Sequence, residues 1–174
     1  VHSGRYAIEP NEGQLATYRK LAVGTQSPVN LTIPSVRTID KLAGVLGKKL
    51  MIDSTAILSA LQDSAYCAAL SYDTATIMAL FIPNTYQVYW NISLDDFMKR
   101  MQKENKHFWN ENNRSELAKQ TGFSQNEIMT LASIVEEETA NDAEKTMVAG
   151  MYINRLQQQM PLQADPTVKF ALKD

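Results

Sequence analysis

Cysteine is almost missing from this sequence. Cys67 stands alone, so no disulfide can form within the chain, and a small buried hydrophobe is the reading its type favours. Histidine is nearly as scarce. His2, His107 and Cys67 are too scattered to form a ligand cluster, so no metal site is expected, and the lack of a glycine-rich phosphate loop leaves no cofactor implied. No apolar run approaches the roughly 20 residues needed to cross a bilayer, and no leader-peptide pattern opens the chain. Blocks of basic charge are missing too: 17 Lys and Arg face 19 Asp and Glu, for a net charge of −2. That balance gives no footprint for a nucleic-acid partner. Internal repeats and low-complexity segments are also lacking.

What is present is enough to build a core. Hydrophobic residues make up 44% of the 174, which excludes a wholly disordered chain and fits one ordinary domain or two small ones. The chain opens on Val1 rather than methionine, so we expect a trimmed piece whose native context includes a membrane anchor outside these residues.

The first part reads as a small α+β unit. Asn11 or Glu12 can start a helix with Leu15, Tyr18, Leu21 and Ala22 on one face, and Gly24 is placed to end it. Val29, Leu31 and Ile33 alternate with polar residues as in a half-buried strand, closed by Pro34. Thr38 can cap a helix bearing Ile39, Leu42, Ala43 and Leu46, with Gly47 at its expected end. Asp53 can cap the next, with Ile57, Leu58 and Leu61 inward. Strand, helix, helix in this order suggests a LysM-like layout, which we place over residues 1–75. Residues 63–80 carry no clear pattern. Pro83 and Asn84 mark a turn, and Thr85 to Trp90 is rich in strand formers. Ser93 opens a loose capping box before a long helix with Phe97, Met101 and Phe108 near one face, a core stripe. The polar run from Glu104 to Ser115 is expected to fray into a loop.

Gly122 can end one helix, and Ser124-Gln-Asn-Glu127 is a full capping box for another. On a wheel of about 100° per residue, Ile128, Leu131, Ala132, Val135 and Thr139 form the buried stripe. Glu137 points away from it, while Glu136 and Glu138 flank it. A carboxyl at the margin of an apolar face is half desolvated, which favours its protonated form near neutral pH. The bland reading is a solvated surface acid. Asn141 or Asp142 can cap a further helix running to about Met160, where Pro161 stops it. Its inward face reads Val148, Met151, Tyr152 and Leu156, with Arg155 in the middle and Asn154 at the edge. An arginine there needs a partner, and Glu136, Glu138 and Asp165 are the nearest candidates. A direct pair with Glu136 would oppose proton donation, so Glu138 or Asp165 is the expected one. A purely structural ion pair remains the competing reading.

Three ordered motifs then become specific. Leu131-Ala-Ser-Ile-Val-Glu136-Glu-Glu-Thr139 is similar to A-S-I-(I/V)-E-x-E-T. Val148-Ala-Gly-Met-Tyr-Ile-Asn154-Arg155-Leu156 is similar to V-A-x-V-(F/Y)-x-N-R-L. Met160-Pro-Leu-Gln163-Ala-Asp165-Pro166-Thr167-Val168 is similar to M-x-L-Q-(S/T)-D-P-T-(V/I). Together they resemble the MltG/YceG family of endolytic murein transglycosylases. Thr32-Ile33-Pro34 and Phe81-Ile-Pro-Asn-Thr-Tyr86 match that family's earlier segments more loosely: Ser35-Val36 stands where Glu-Gly is usual, and Met78-Ala79 lies near the place of a second Glu-Gly.

The resemblance implies a fold and an activity. The fold class is α+β: a small LysM-like α/β two-layer subdomain over 1–75, then the first part of a mixed, helix-rich catalytic subdomain over 76–174, truncated at its C-terminus. The activity is non-hydrolytic cleavage of the β-1,4 bond from N-acetylmuramic acid to N-acetylglucosamine in nascent peptidoglycan strands, leaving 1,6-anhydro ends. Glu136 takes the catalytic position. Glu138, Asn154, Arg155, Gln163, Asp165 and Thr167 take positions that orient it or contact glycan. The resemblance also implies an envelope protein on the outer side of the cytoplasmic membrane, anchored by an N-terminal helix absent here, with peptidoglycan strands as substrate and peptidoglycan synthases as partners. The alternative is a non-catalytic glycan-binding or scaffold module of the envelope.

Overall fold

The computed structural model describes residues 2–172. The chain is α+β, mostly helical with one small antiparallel sheet. It divides into two compact units, residues 1–109 and 110–174. Among the described residues no helix is long and apolar enough to cross a membrane.

In the first unit, helix α1 (Gln14–Val23) starts later than Asn11 or Glu12. Asn11 adopts a left-handed backbone, φ 72°, which a helix cannot absorb, and the Glu12 side chain is taken up by Lys20 at 2.7 Å. Gly24, at φ 82°, ends the helix as its position suggested. The expected inward face is corrected: Leu15 and Tyr18 are exposed, and Leu21 and Ala22 only half-buried. Polar ties hold α1 instead, with Lys20 Nζ donating to the Ala7 carbonyl and His2 N–H to that of Leu21.

Strand β1 (Val29–Ile33) alternates buried and exposed residues, so Val29, Leu31 and Ile33 enter the core. Helix α2 (Ile39–Lys49) is capped by the Thr38 hydroxyl, which accepts from Lys41 N–H. It runs through Gly47 rather than ending there. A Cβ on Gly47 would sit 2.8 Å from Ser54 Cβ, so this glycine serves the close approach of α3 (Ser54–Gln62). Asp53 caps α3, and Asp63 caps the short α4 (Ser64–Ala69). A 3-10 turn, Ile77–Leu80, leads to β2 (Asn84–Val88). The strands pair antiparallel with Val29 opposite Val88 and Leu31 opposite Tyr86. This pairing carries the first unit past residue 75, the expected subdomain boundary.

Helix α5 (Leu94–Asn110) buries Phe97, Met98, Met101 and Trp109, with Phe108 half-buried. It also buries Asn105, whose amide donates to the carbonyls of Ala79 at 2.9 Å and Leu80 at 3.2 Å. The side chain thus satisfies the carbonyls a 3-10 turn leaves open. The segment from Glu104 to Ser115 does not fray. It finishes α5, makes a 3-10 turn over Glu111–Asn113, and enters α6 (Arg114–Thr121). Asn112 and Asn113 bend the chain there at φ 50° and 56°, a conformation asparagine tolerates better than most residues.

The second unit holds α6, α7 (Gln125–Glu138), α8 (Asp142–Gln157) and α9 (Asp165–Leu172). Helix α7 packs against both α8 and α9. Its core is small: Leu131, Val135, Tyr152 and Ala164 are buried, with Ile134, Val148, Ala149, Ile153 and Leu162 against them.

Candidate active site

The helix that carries Glu136 is fixed from its first residue. The Ser124 hydroxyl accepts from Glu127 N–H at 3.3 Å, and the Glu127 carboxylate accepts from Ser124 N–H at 2.7 Å, the reciprocal box read from the sequence. The Ser124 N–H first and the Ser124 hydroxyl second, each donating to the Glu127 carboxylate at 2.7 Å, hold the Glu127 pKa below its ordinary value. Gly122, at φ 79°, ends the preceding helix. The buried stripe is narrower than the wheel gave. Leu131 and Val135 are buried, Ile128, Ile134 and Thr139 half-buried, and Ala132 exposed. With two neighbouring helices to cover, α7 buries a face turned toward Ile134 and away from Ala132.

Helix α8 shows a similar rotation. It is capped by the Asn141 side chain, which accepts from Ala143 N–H at 3.1 Å, and ends at Gln157 rather than Met160. Tyr152 is buried, with Val148, Ala149 and Ile153 packed around the same core. Met151 and Leu156, expected inward, are exposed.

The turn between α7 and α8 is closed by side chains. The Thr139 hydroxyl donates to Glu144 at 2.9 Å and accepts from Asn141 N–H at 3.1 Å. The Asn141 amide donates to the other oxygen of Glu144, also at 2.9 Å. The threonine that ends the first motif therefore builds the turn.

Glu136 sits on the last turn of α7 and is exposed, with its side chain 50% accessible. Its partner was not foreseen: Lys145 Nζ lies 2.7 Å from Glu136 Oε2 and 2.7 Å from Asp142 Oδ1. Hydrogen bonds to Asp142 first and Glu136 second raise the Lys145 pKa. The signal for Lys145 lay in its spacing, three residues after Asp142. Glu137 is exposed.

Arg155 requires a correction. It is half-buried, but among the described residues its side-chain hydrogen bonds go to two backbone carbonyls and an amide oxygen rather than to a carboxylate. Nη1 donates to the carbonyls of Pro161 and Leu162, each at 3.1 Å, and to Gln163 Oε1 at 2.9 Å. Backbone carbonyls left open where α8 ends supply the acceptors an acid was expected to supply. The backbone folds back here through left-handed Gln159, φ 58°, and Gln163, φ 53°.

Glu138, Arg155 and Asp165 nonetheless converge electrostatically. All three bear on the buried phenol of Tyr152, whose pKa is raised by burial first and then by the charge of Glu138 and its hydrogen bond. Tyr152 was read only as a core residue. Asp165 begins α9 and is exposed, and Thr167 donates to the Ala164 carbonyl at 2.6 Å, closing that helix's first turn. Asn154 is exposed on α8 beside Arg155. Among the described residues no group of His, Cys, Asp and Glu could hold a metal ion.

The whole chain, residues 1–174, matches the sequence profile of the YceG-like family. The chain belongs to that family. Among its relatives is an endolytic murein transglycosylase of Bacillus subtilis (strain 168), 26% identical over 185 aligned residues, covering 97% of this chain and 51% of the relative. A second is an endolytic murein transglycosylase of Streptococcus pneumoniae serotype 2 (strain D39), 26% identical over 172 residues, covering 84% of this chain and 30% of the relative. The chain thus spans about half the length of the first and less than a third of the second.

Proposed function

We propose that the protein is an endolytic transglycosylase of the cell envelope. In this reading it cuts the β-1,4 bond from N-acetylmuramic acid to N-acetylglucosamine in nascent peptidoglycan without water, with Glu136 as both acid and base. One observation supports the reading: Glu136, which the motif resemblance puts at the acid position, sits on the last turn of α7 with its side chain 50% exposed and one oxygen 2.7 Å from Lys145 on α8.

Ordinary glycosidases use two carboxyl groups. Here the C6 hydroxyl of the muramyl sugar serves as the nucleophile, and because its attack is intramolecular, positioning supplies much of what a second carboxyl would. Glu136 gives its proton to the leaving O4 as the C1–O4 bond breaks. The C6 oxygen bonds to C1, and its proton passes to Glu136. The proton count closes, no water is consumed, and the product carries a 1,6-anhydro ring.

Glu138, Arg155 and Asp165, gathered about Tyr152, and Asn154, Gln163 and Thr167 beside them are assigned to orienting or contacting the glycan. The LysM-like reading of residues 1–75 rests on the order of β1, α2 and α3 along the chain. A membrane-anchored protein on the outer face of the cytoplasmic membrane, working beside peptidoglycan synthases, would meet strands as they are made.

The deciding experiment compares wild type and Glu136→Gln in the full-length native protein on purified peptidoglycan, with mass spectrometry of the products. Gln keeps the shape but cannot carry a proton. Release of anhydro ends should fall by about 10²–10⁴-fold, toward the upper end because one group serves both transfers. Near-native release from Glu136→Gln sinks the assignment. Release of none by the native protein transfers the case to a glycan-binding scaffold.

A further inference from the structure

We infer that Lys145 is a positioning residue for Glu136: its ammonium, anchored on Asp142, fixes the carboxyl group by charge and hydrogen bond. The inference rests on Glu136 being the acid and base.

The geometry is a three-member chain across the α7–α8 turn. Lys145 Nζ lies 2.7 Å from a carboxylate oxygen of each partner, with its side chain 27% exposed between Glu136 at 50% and Asp142 at 90%. Lys145 is the least exposed of the three and is held between two carboxylates that reach solvent.

Helix stability does not account for a lysine here. Lys145 is the fourth residue of α8, where the positive end of the helix dipole disfavours a cation. An exposed ion pair contributes little to stability, about 0–1 kcal/mol. The turn does not depend on it either, because Thr139, Asn141 and Glu144 close it among themselves.

The competing charges are identifiable. Glu137 and Glu138 lie on α7 itself. On α8 the other acid is Glu144, held by Thr139 and Asn141, and Tyr152 bears on Glu138. Asp165 and Lys169 lie on α9. Arg155 spends Nη1 on the 161–163 turn. Among the described residues Lys145 is the cation paired with Glu136. That contact, 2.7 Å long, is the charge interaction that the substitutions below remove or strengthen.

Two substitutions displace the pH profile in opposite directions. Lys145→Met removes the cation, so the alkaline edge of kcat/KM moves to higher pH. Asp142→Asn removes a competing anion and leaves the ammonium to Glu136 alone, so the edge moves to lower pH. Lys145→Arg keeps the charge and restores the wild-type edge. With each profile normalised to its own maximum, Lys145→Met should retain about three- to tenfold more activity than wild type at the alkaline edge, since one pH unit is a factor of ten in protonated fraction. High salt should shrink the difference. A merely structural role would lower all rates without moving the edges apart.

The measurement is release of anhydro muropeptides by the full-length protein across pH, with circular dichroism as the folding control and Glu136→Gln alongside. Opposite displacements support the inference. Coincident edges with Glu136→Gln inactive overturn it and leave Glu136 as the acid, whereas an active Glu136→Gln removes the reading beneath it. If Lys145→Met does not fold, Asp142→Asn decides by the same criterion.

Discussion

Arg155 and Gln163 meet at 2.9 Å, guanidinium to side-chain carbonyl, while the same nitrogen also holds the carbonyls of Pro161 and Leu162. One side chain on α8 thereby fixes the segment that delivers Gln163, Asp165 and Thr167. The expected pairing of this arginine with a carboxylate gives way to a clamp on the backbone of residues 161 and 162.

That arrangement makes Arg155→Lys a damaging exchange despite the retained charge. A lysine ammonium lacks the planar fork and reaches the three acceptors poorly. Each carbonyl left unpaired costs about 1–3 kcal/mol if it stays buried, and less where water enters. We expect Arg155→Lys to lower the thermal midpoint by a few degrees and to raise KM for glycan more than it lowers kcat. An unchanged KM would show that residues 161–167 do not touch the substrate.

The capping box gives a pH-dependent prediction. Hydrogen bonds from Ser124 hold the Glu127 pKa below its ordinary value. A depressed carboxyl contributes stability that is present above the unfolded pKa and lost as pH falls through the folded one. Glu127→Gln keeps the shape of the box but does not titrate. Its melting midpoint should therefore sit below wild type near pH 6, with the gap narrowing toward about pH 3. Ser124→Ala, which deletes the cap outright, should cost about 1 kcal/mol. Thermal melts followed by circular dichroism across that range measure both.

Local signals carried the sequence reading a long way, and long-range packing limited it. Ser124, Thr38, Asp53 and Gly24 act within a turn of their own position, and each does in the structure what its residue type suggested. The alternation of Val29, Leu31 and Ile33 was equally legible. What failed depended on partners distant in sequence. Leu15 and Tyr18 repeat with helical spacing, yet both are exposed. Ala132 and Met151 lie outside the buried faces because the neighbouring helices fix each helix's rotation. The Lys145 bridge to Glu136 was hidden for the same reason, since the contact spans a turn whose closure the sequence did not dictate.

Gly44 and Gly47 offer a paired test within one helix. A Cβ at Gly44 meets nothing within 4 Å, whereas one at Gly47 meets Ser54 Cβ at 2.8 Å and Ser54 N at 3.0 Å. Alanine is the better helix former by about 1 kcal/mol. Gly44→Ala should therefore raise the unfolding free energy by up to that amount. Gly47→Ala should lower it by about 1–3 kcal/mol, because α2 and α3 must separate. Denaturant titration reads both. If Gly47→Ala also stabilises, Gly47 is dispensable to the helix contact and the account of why α2 passes through it is wrong.

The small core of the second unit makes the proposed active site there the more fragile part of the chain. Leu131 is one of four buried residues in its cluster, together with Val135, Tyr152 and Ala164, while Leu46 belongs to a cluster several times larger. Truncating either leucine to alanine removes similar apolar volume, at about 2–5 kcal/mol. The loss is a larger share of what holds the smaller core, whose residues position α7, α8 and α9 together. Leu131→Ala should therefore speed amide hydrogen exchange across α7 and α8 and reduce transglycosylation well before the first unit loosens. Leu46→Ala should speed exchange in α2 and β1 and leave the α7 amides protected. Exchange measured by mass spectrometry on both variants distinguishes the two patterns. If Leu131→Ala raised exchange equally in α2 and α7, the two clusters would be one cooperative core, and activity and global stability would fall together.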